Sequence, residues 1–179
     1  MAESFVNSVT RAVGVVTCSS AGSIGGTTNL ITGITTTNVS VGDLVQNTNY
    51  IAGTKVSSIG VNSTTVDRDS TNNVAASSQS VKYLGMTTAY TSASGTKSII
   101  IGGTFANNTS NEVELTVHLY DNSATLNPAI ISRVPVPNGS SFALSDTGKT
   151  VMEGLDAIRV YCDTANAIDV QLGILKGVS

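Results

Sequence analysis

The chain has 179 residues, of which 12% are charged and 4% aromatic, and its formal net charge is −3. Ser, Thr and Asn together account for 62 of the 179 residues. This composition excludes a coiled coil or a helical bundle, and an apolar fraction of 40% excludes the highly charged class of disordered chains. The nine Lys and Arg residues are scattered singly, so we expect no nucleic-acid partner.

Residues 1–16 carry Glu3 near the front and no basic stretch before an apolar run, so we expect no secretory signal. No apolar run approaches the roughly 20 residues of a membrane helix, and we expect no membrane partner. Cys18 and Cys162 lie far apart in the chain. They are predicted to be reduced thiols, with a disulfide as the alternative.

Short runs of β-branched residues between turn residues predict strands in the first half, at residues 12–18, 29–34 and 55–61. Strict alternation of apolar and polar residues predicts longer strands later, at residues 112–119, 158–162 and 168–174. The apolar positions of these later strands form the predicted core: Val113, Leu115, Val117, Leu119, Ile158, Val160, Ile168, Val170 and Leu172. The fold class is therefore all-β.

The composition and the hydrophobic pattern of the sequence change near residue 85. Residues 1–85 are predicted to form a smaller Ser/Thr/Asn-rich β module, and residues 86–179 a C-terminal β-sandwich of the jelly-roll-like or immunoglobulin-like kind. The boundary is placed within residues 84–97, where small residues cluster. The first half has few large apolar side chains, so we expect it to bury little core by itself.

The segment Ala143–Thr150 matches a loose phosphate-loop pattern. Such a loop needs a helix directly after it, whereas Gly154 interrupts and residues 158–162 alternate as a strand. Asp146 would also place a negative charge against the phosphates. We therefore interpret the segment as a turn between strands and expect no cofactor.

Three other groups were weighed as sites. Asp67–Asn72 resembles the start of a calcium loop but lacks the required Gly and Glu, so it is predicted to be an exposed turn. His118 is the only histidine and is expected on a polar surface or at an interface. Glu112 and Glu114 share a strand face and are expected to be solvated. We expect no catalytic residue, no metal ligand and no enzyme activity.

Two stretches of the chain resemble sequence motifs of small β-sandwich virion proteins of tailed bacteriophages. The longer covers most of the second half, and its motifs include Gly103–Thr109, Arg133–Ser141, Gly148–Val160 and Ala167–Val170. Within it, Met152 and Leu155 replace commoner residues. The shorter runs from Val39 to Val56 and contains Val41-Gly42-Asp43.

This resemblance implies a non-enzymatic structural protein of the virion, assembled in the bacterial cytoplasm. The main interpretation is a capsid decoration or cement protein that contacts copies of itself and the major capsid protein. The first alternative is a neck, collar or tail protein, whose partners include tail proteins. The second is a host-surface or glycan-binding module, although the chain has only five Tyr and no Trp for stacking on sugars.

Assembly contacts are expected mainly from residues 1–85. A segment short of core is stabilised by burial against neighbouring subunits. The run Val56–Ile59 carries no charge to block strand pairing, so it is predicted to be an exposed edge that contacts another subunit.

Overall fold

A computed structural model describes residues 3–144 and 149–178 of the chain. The described residues form fifteen strands, none of them is helical, and every strand pair is antiparallel. The predicted all-β class is confirmed. The strands are β1 (Ser4–Val13), β2 (Val15–Ile24), β3 (Leu30–Thr32), β4 (Leu44–Gln46), β5 (Val56–Gly60), β6 (Ser63–Val66), β7 (Ala76–Gly85), β8 (Thr87–Thr91), β9 (Lys97–Asn107), β10 (Val113–Tyr120), β11 (Ala129–Val136), β12 (Ser141–Leu144), β13 (Thr150–Met152), β14 (Ala157–Cys162) and β15 (Ile168–Val178).

The chain divides into two compact units. The first unit contains β1 and most of the chain from Thr87 onward, and the second contains residues 14–86 with residues 163–165. The division after residue 86 falls inside the predicted boundary region. The prediction that residues 3–13 belong to the N-terminal module is wrong. Strand β1 pairs with β15, so these residues belong to the first unit.

The first unit is built from two sheets. One has the order β1-β15-β9-β12, with β13 also paired to β9, and the other has the order β11-β10-β14-β8. Buried side chains of both sheets form one apolar cluster. Eight of the nine predicted core residues are buried in it, and the ninth, Leu119, is partly buried against it. Alternation predicted this core because each strand has one buried face.

The second unit is a six-stranded sheet in the order β4-β7-β2-β3-β6-β5. Its two end strands meet, because the amide of Val45 donates to the carbonyl of Thr54 and that of Val56 to the carbonyl of Asp43, at 2.8 and 2.9 Å. The sheet therefore curls around its own interior.

The expectation that the first half buries little core is wrong. The second unit encloses a cluster of ten buried apolar residues, including the fully buried Val81 and Tyr83. Several of them, such as Ile34, Val39 and Tyr50, lie in loops rather than strands. Periodicity does not reveal such residues, because loop positions follow no fixed alternation.

Cys18 is half-buried in the second unit and Cys162 is buried in the first, and neither of the two forms a disulfide. Burial raises the pKa of the Cys18 thiol. In the described part of the chain, no helix is long and apolar enough to span a membrane.

Candidate interaction surfaces

An exposed row of apolar side chains crosses the outer face of the five-stranded sheet in the first unit. Phe5 on β1 is paired with Leu175 on β15, Leu175 with Ile99 on β9, and Ile99 with Val151 on β13. Phe5 is 77% exposed and Val151 54% exposed, and the two central residues are half-buried. We call these four residues the apolar row. A contiguous apolar strip on a sheet face is typical of a surface that binds another protein.

A shallow depression of about 320 Å³ lies beside Phe5 in the same face. Its floor contains Gly102 and Gly173, and Ile101 borders it. Ile101 is 43% exposed because the β9–β15 register shifts beside Gly173, which leaves Ile101 without a direct partner. A methyl group added at Gly173 would come no closer than 3.8 Å to any other atom. Gly173 therefore borders open space, whereas a methyl group at Gly102 would lie 3.2 Å from the carbonyl oxygen of Leu144.

Ion pairs flank this face. Arg11 lies 3.5 Å from Asp169, and Lys97 lies 3.1 Å from Glu153. The amide of Ala12 donates to Asp169 at 2.9 Å, and that bond, together with the Asn108 side chain and Arg11, holds the pKa of Asp169 below its ordinary value. Exposed pairs of this kind add little stability but give the rim of the surface a defined charge pattern.

The second unit presents the edge predicted from the sequence, with one difference. In the described part of the chain, β5 pairs along its length only with β6, and Ser57–Ile59 are exposed. Val56 is only 2% exposed, and its amide bonds to the carbonyl of Asp43. The exposed edge is therefore shorter than Val56–Ile59, and Val61, at 92% exposure, extends its apolar surface.

The second unit also contains an open cleft of about 560 Å³. Amide and hydroxyl side chains line much of it, including Gln46, Asn47, Thr48 and Gln79. The single aromatic residue in its lining is Tyr50, which is 6% exposed and whose hydroxyl donates to the carbonyl of Thr28 at 3.0 Å. Burial comes first among the causes that raise the pKa of Tyr50 to about 12. Its ring is thus part of the core and offers no face on which a sugar could stack.

The phosphate-loop candidate lies only partly within the described residues, because residues 145–148 are outside them. Lys149 is exposed and is followed directly by strand β13. A helix was the element that the phosphate-binding chemistry required at that point.

The calcium-loop candidate uses its oxygens for structural hydrogen bonds. Asp67 accepts the amide of Lys55 at 2.9 Å and pairs with Arg68. Burial alone would raise the pKa of Asp67, but these two partners outweigh it and the pKa lies below its ordinary value. Ser70 is buried and accepts the amide of Thr28, so the turn is not exposed throughout.

His118 is not on the surface. It is 8% exposed, and its Nδ1 lies 2.6 Å from the carbonyl oxygen of Asn127. Tyr161 packs edge-on against its ring, with centroids 5.4 Å apart. The expectation of a surface histidine is wrong because a loop and a neighbouring strand cover this part of the polar face.

Of the paired glutamates, Glu112 is exposed as predicted, whereas Glu114 is bound. Its two carboxylate oxygens accept bonds from Arg133 at 2.9 and 3.1 Å. Among residues 3–144 and 149–178, no group of three or more His, Cys, Asp or Glu is arranged to hold a metal ion.

Two buried aspartates, one in each unit, have a role that the sequence did not reveal. Asp43 accepts the amide of Ser40, and Asp156 accepts the amide of Glu153, three residues earlier in each case, at 3.0 and 2.8 Å. Both turns also close with a backbone bond between the same two residues. The residue before each aspartate has a left-handed backbone: Gly42 with φ 95° and Leu155 with φ 72°. The same turn thus occurs once in each unit.

Leu155 occupies a position that favours glycine, because a left-handed backbone costs a residue with a Cβ about 1–2 kcal/mol. We expect Leu155→Gly to be more stable than Leu155→Ala by about 1 kcal/mol. Leu126 is the matched control, since it is also an exposed leucine of the first unit but its φ is not positive. There, Ala should be more stable than Gly. Urea unfolding of the four variants tests both orders, and Ala exceeding Gly at residue 155 would contradict the assignment.

Comparison with known proteins gives only weak likenesses. No family model matches the chain, and no curated protein does. Among solved structures, a chain of the IBDV viral particle is 10% identical with a TM-score of 0.35, covering 98% of this chain and 68% of that one. A xylan-binding domain from Paenibacillus barcinonensis is 11% identical with a TM-score of 0.22, covering 95% and 99%. At these scores neither protein's role is transferred to this chain.

Proposed function

We propose that the protein is a non-enzymatic structural component of a bacteriophage virion, and specifically a capsid decoration protein. The observation that carries a structural role is the apolar row, which exposes Phe5 and Val151 on a sheet face whose flanking charges are paired. Such a face suits repeated contact with a flat protein lattice, where many weak contacts add up. The motifs that resemble phage virion proteins supply the setting.

The proposal includes the absence of enzymatic activity. The titratable groups weighed as candidates form structural bonds: His118 with Asn127, Glu114 with Arg133, and Asp67 with Lys55. A glycan-binding role receives less support, because Tyr50 in the cleft is buried.

Purified particles of the phage that encodes the protein provide the test. We expect the protein to be present in a fixed, high ratio to the major capsid protein, measured by quantitative mass spectrometry, and to lie on the head surface by cryo-electron microscopy. A few copies at one vertex or along the tail would favour the neck, collar or tail alternative. Absence from particles would overturn the virion role.

Paired surface variants then locate the attachment face. Val151→Lys adds a charge at one end of the apolar row, and Val61→Lys adds the same charge beside the exposed edge of the second unit. If the apolar row binds the lattice, Val151→Lys should lower occupancy and Val61→Lys should not. The opposite result would favour attachment through residues 1–85, as the sequence suggested.

A further inference from the structure

Strand β1 is a long, open sheet edge. In the described part of the chain it pairs with β15 alone, and its register with that strand is unbroken from Ser4 to Thr10. Other edge strands of the first unit are interrupted or short. Strand β11 has a left-handed residue at Arg133 and also contains Pro135, and β8 has five residues. Proline, bulges and charges are what block edge pairing, and residues 4–10 contain none of them.

The side chains of β1 separate cleanly by face. Val6 packs against the core, and the hydroxyl of Ser8 donates to the carbonyl of Ala89 at 2.8 Å. The intervening residues Phe5, Asn7 and Val9 are exposed. Phe5 and Val9 are 77% and 68% exposed, and each lies two positions from Asn7.

We propose that β1 pairs antiparallel with β1 of a second copy of this chain, about a two-fold axis at Asn7. A two-fold axis perpendicular to the sheet places the outer faces of the two copies on the same side of the joined sheet. Residues that lie opposite each other then point to the same face, so the sum of their two residue numbers is even and is the same for every pair. A sum of 14 places Glu3 opposite Arg11 and Phe5 opposite Val9, with Asn7 opposite itself.

Charge selects this register over its neighbours. A sum of 12 places Glu3 opposite Val9, and a sum of 16 places Arg11 opposite Phe5, so each leaves a charge facing an apolar side chain. With a sum of 14, Glu3 and Arg11 lie at the two ends of the straight segment. Glu3 of each copy then lies opposite Arg11 of the other copy, which gives two pairs of opposite charge. Arg11 is 82% exposed, so its guanidinium can contact Asp169 of its own chain and a carboxylate of the partner. The two five-stranded sheets would become one continuous ten-stranded sheet.

Sedimentation equilibrium of the full chain tests the association, and we expect a reversible monomer–dimer equilibrium. Val9→Lys places an ammonium opposite Phe5 of the partner and should raise the dimer dissociation constant at least about tenfold. Val61→Lys is the matched control and should leave the dissociation constant unchanged. A chain that stays monomeric at all concentrations, or a dimer that is insensitive to Val9→Lys, would overturn the proposal.

A charge swap tests the register. Glu3→Lys and Arg11→Glu should each weaken the dimer several-fold, and the double variant should restore it. Glu3 lies directly before β1 and eight positions from Arg11, roughly 26 Å along an extended chain, so rescue must come from contact between chains. Single variants that weaken the dimer without rescue in the double variant would contradict this register.

Cysteine cross-linking measures the same register by distance. Asn7→Cys places two thiols opposite each other at the two-fold axis, within reach of a disulfide, whereas Val9→Cys places them several residues apart. Under mild oxidation only Asn7→Cys should give a covalent dimer, with the natural chain as the control for Cys18 and Cys162. Equal cross-linking of both variants would rule out a two-fold axis at Asn7. This self-association does not depend on the virion role, because sedimentation of the purified chain measures it without particles. Val9→Lys tests the dimer, and Val151→Lys on a different strand tests attachment to the particle.

Discussion

Replacing Asp156 by Ala should lower the free energy of unfolding of the first unit by about 3 kcal/mol. The carboxylate is 6% exposed and accepts two backbone amides, from Asn122 at 2.9 Å and from Glu153 at 2.8 Å. The variant removes both charge-assisted bonds and leaves their donors without an acceptor. Asp156 therefore holds together two loops that are far apart in sequence.

Asp156→Asn distinguishes the charge from the shape of the side chain. The amide keeps one carbonyl oxygen, but its nitrogen would face a backbone N–H, so most of the loss should remain. Glu112→Ala is the control, because it removes an exposed carboxylate from the same unit and should change stability by less than about 0.5 kcal/mol. Calorimetry is the suitable measurement, since the two units can give separate transitions. An Asp156→Ala variant as stable as Glu112→Ala would show that the bonds do not contribute.

Alternation predicted the core strands of the first unit because burial there follows a strict period of two. Residues 113–119 and 168–174 lie in strands whose inner-facing side chains join one apolar cluster, so one face of each strand is buried. The same rule correctly placed His118 on the polar face of β10, but it did not predict that this side chain is buried. Its burial depends on Asn127 and Tyr161, which reach it only through tertiary folding.

The start of the chain shows a second limit of sequence reasoning. One strand was predicted across residues 12–18, but the chain turns there, with left-handed backbones at Ala12 and Gly14, and two strands in different units result. Assigning β1 to a unit requires knowing its partner, β15, which lies at the other end of the chain. No local pattern carries that information.

The apolar row could not be predicted from the sequence either. Its members come from four strands spread between Phe5 and Leu175, and they align only because of the pairing registers. The register shift beside Gly173 moves Ile101 out of that alignment. In contrast, the exposed edge at Ser57–Ile59 could be predicted, because a short uncharged strand between turns is a local feature.

Replacing Phe105 by Ala should have the largest effect of any substitution considered, a loss of about 3–5 kcal/mol in the first unit. Phe105 is fully buried on β9, where it is paired with Val170 on one side and Phe142 on the other. The two phenylalanine rings pack at a tilt of 49° with centroids 6.5 Å apart. Truncation would remove this contact and leave a cavity between the sheets.

Phe5→Ala is the matched control, because it makes the same chemical change in the same sheet at a side chain that is 77% exposed. Measured at concentrations where the chain is monomeric, it should cost less than about 0.5 kcal/mol. Phe105→Leu, which fills most of the space, should fall between the two. Urea unfolding of the three variants gives the comparison, and similar losses for Phe5→Ala and Phe105→Ala would show that the sheets do not enclose the core described. Because whole domains are stable by only about 5–15 kcal/mol, Phe105→Ala should remove a large fraction of the stability of the first unit.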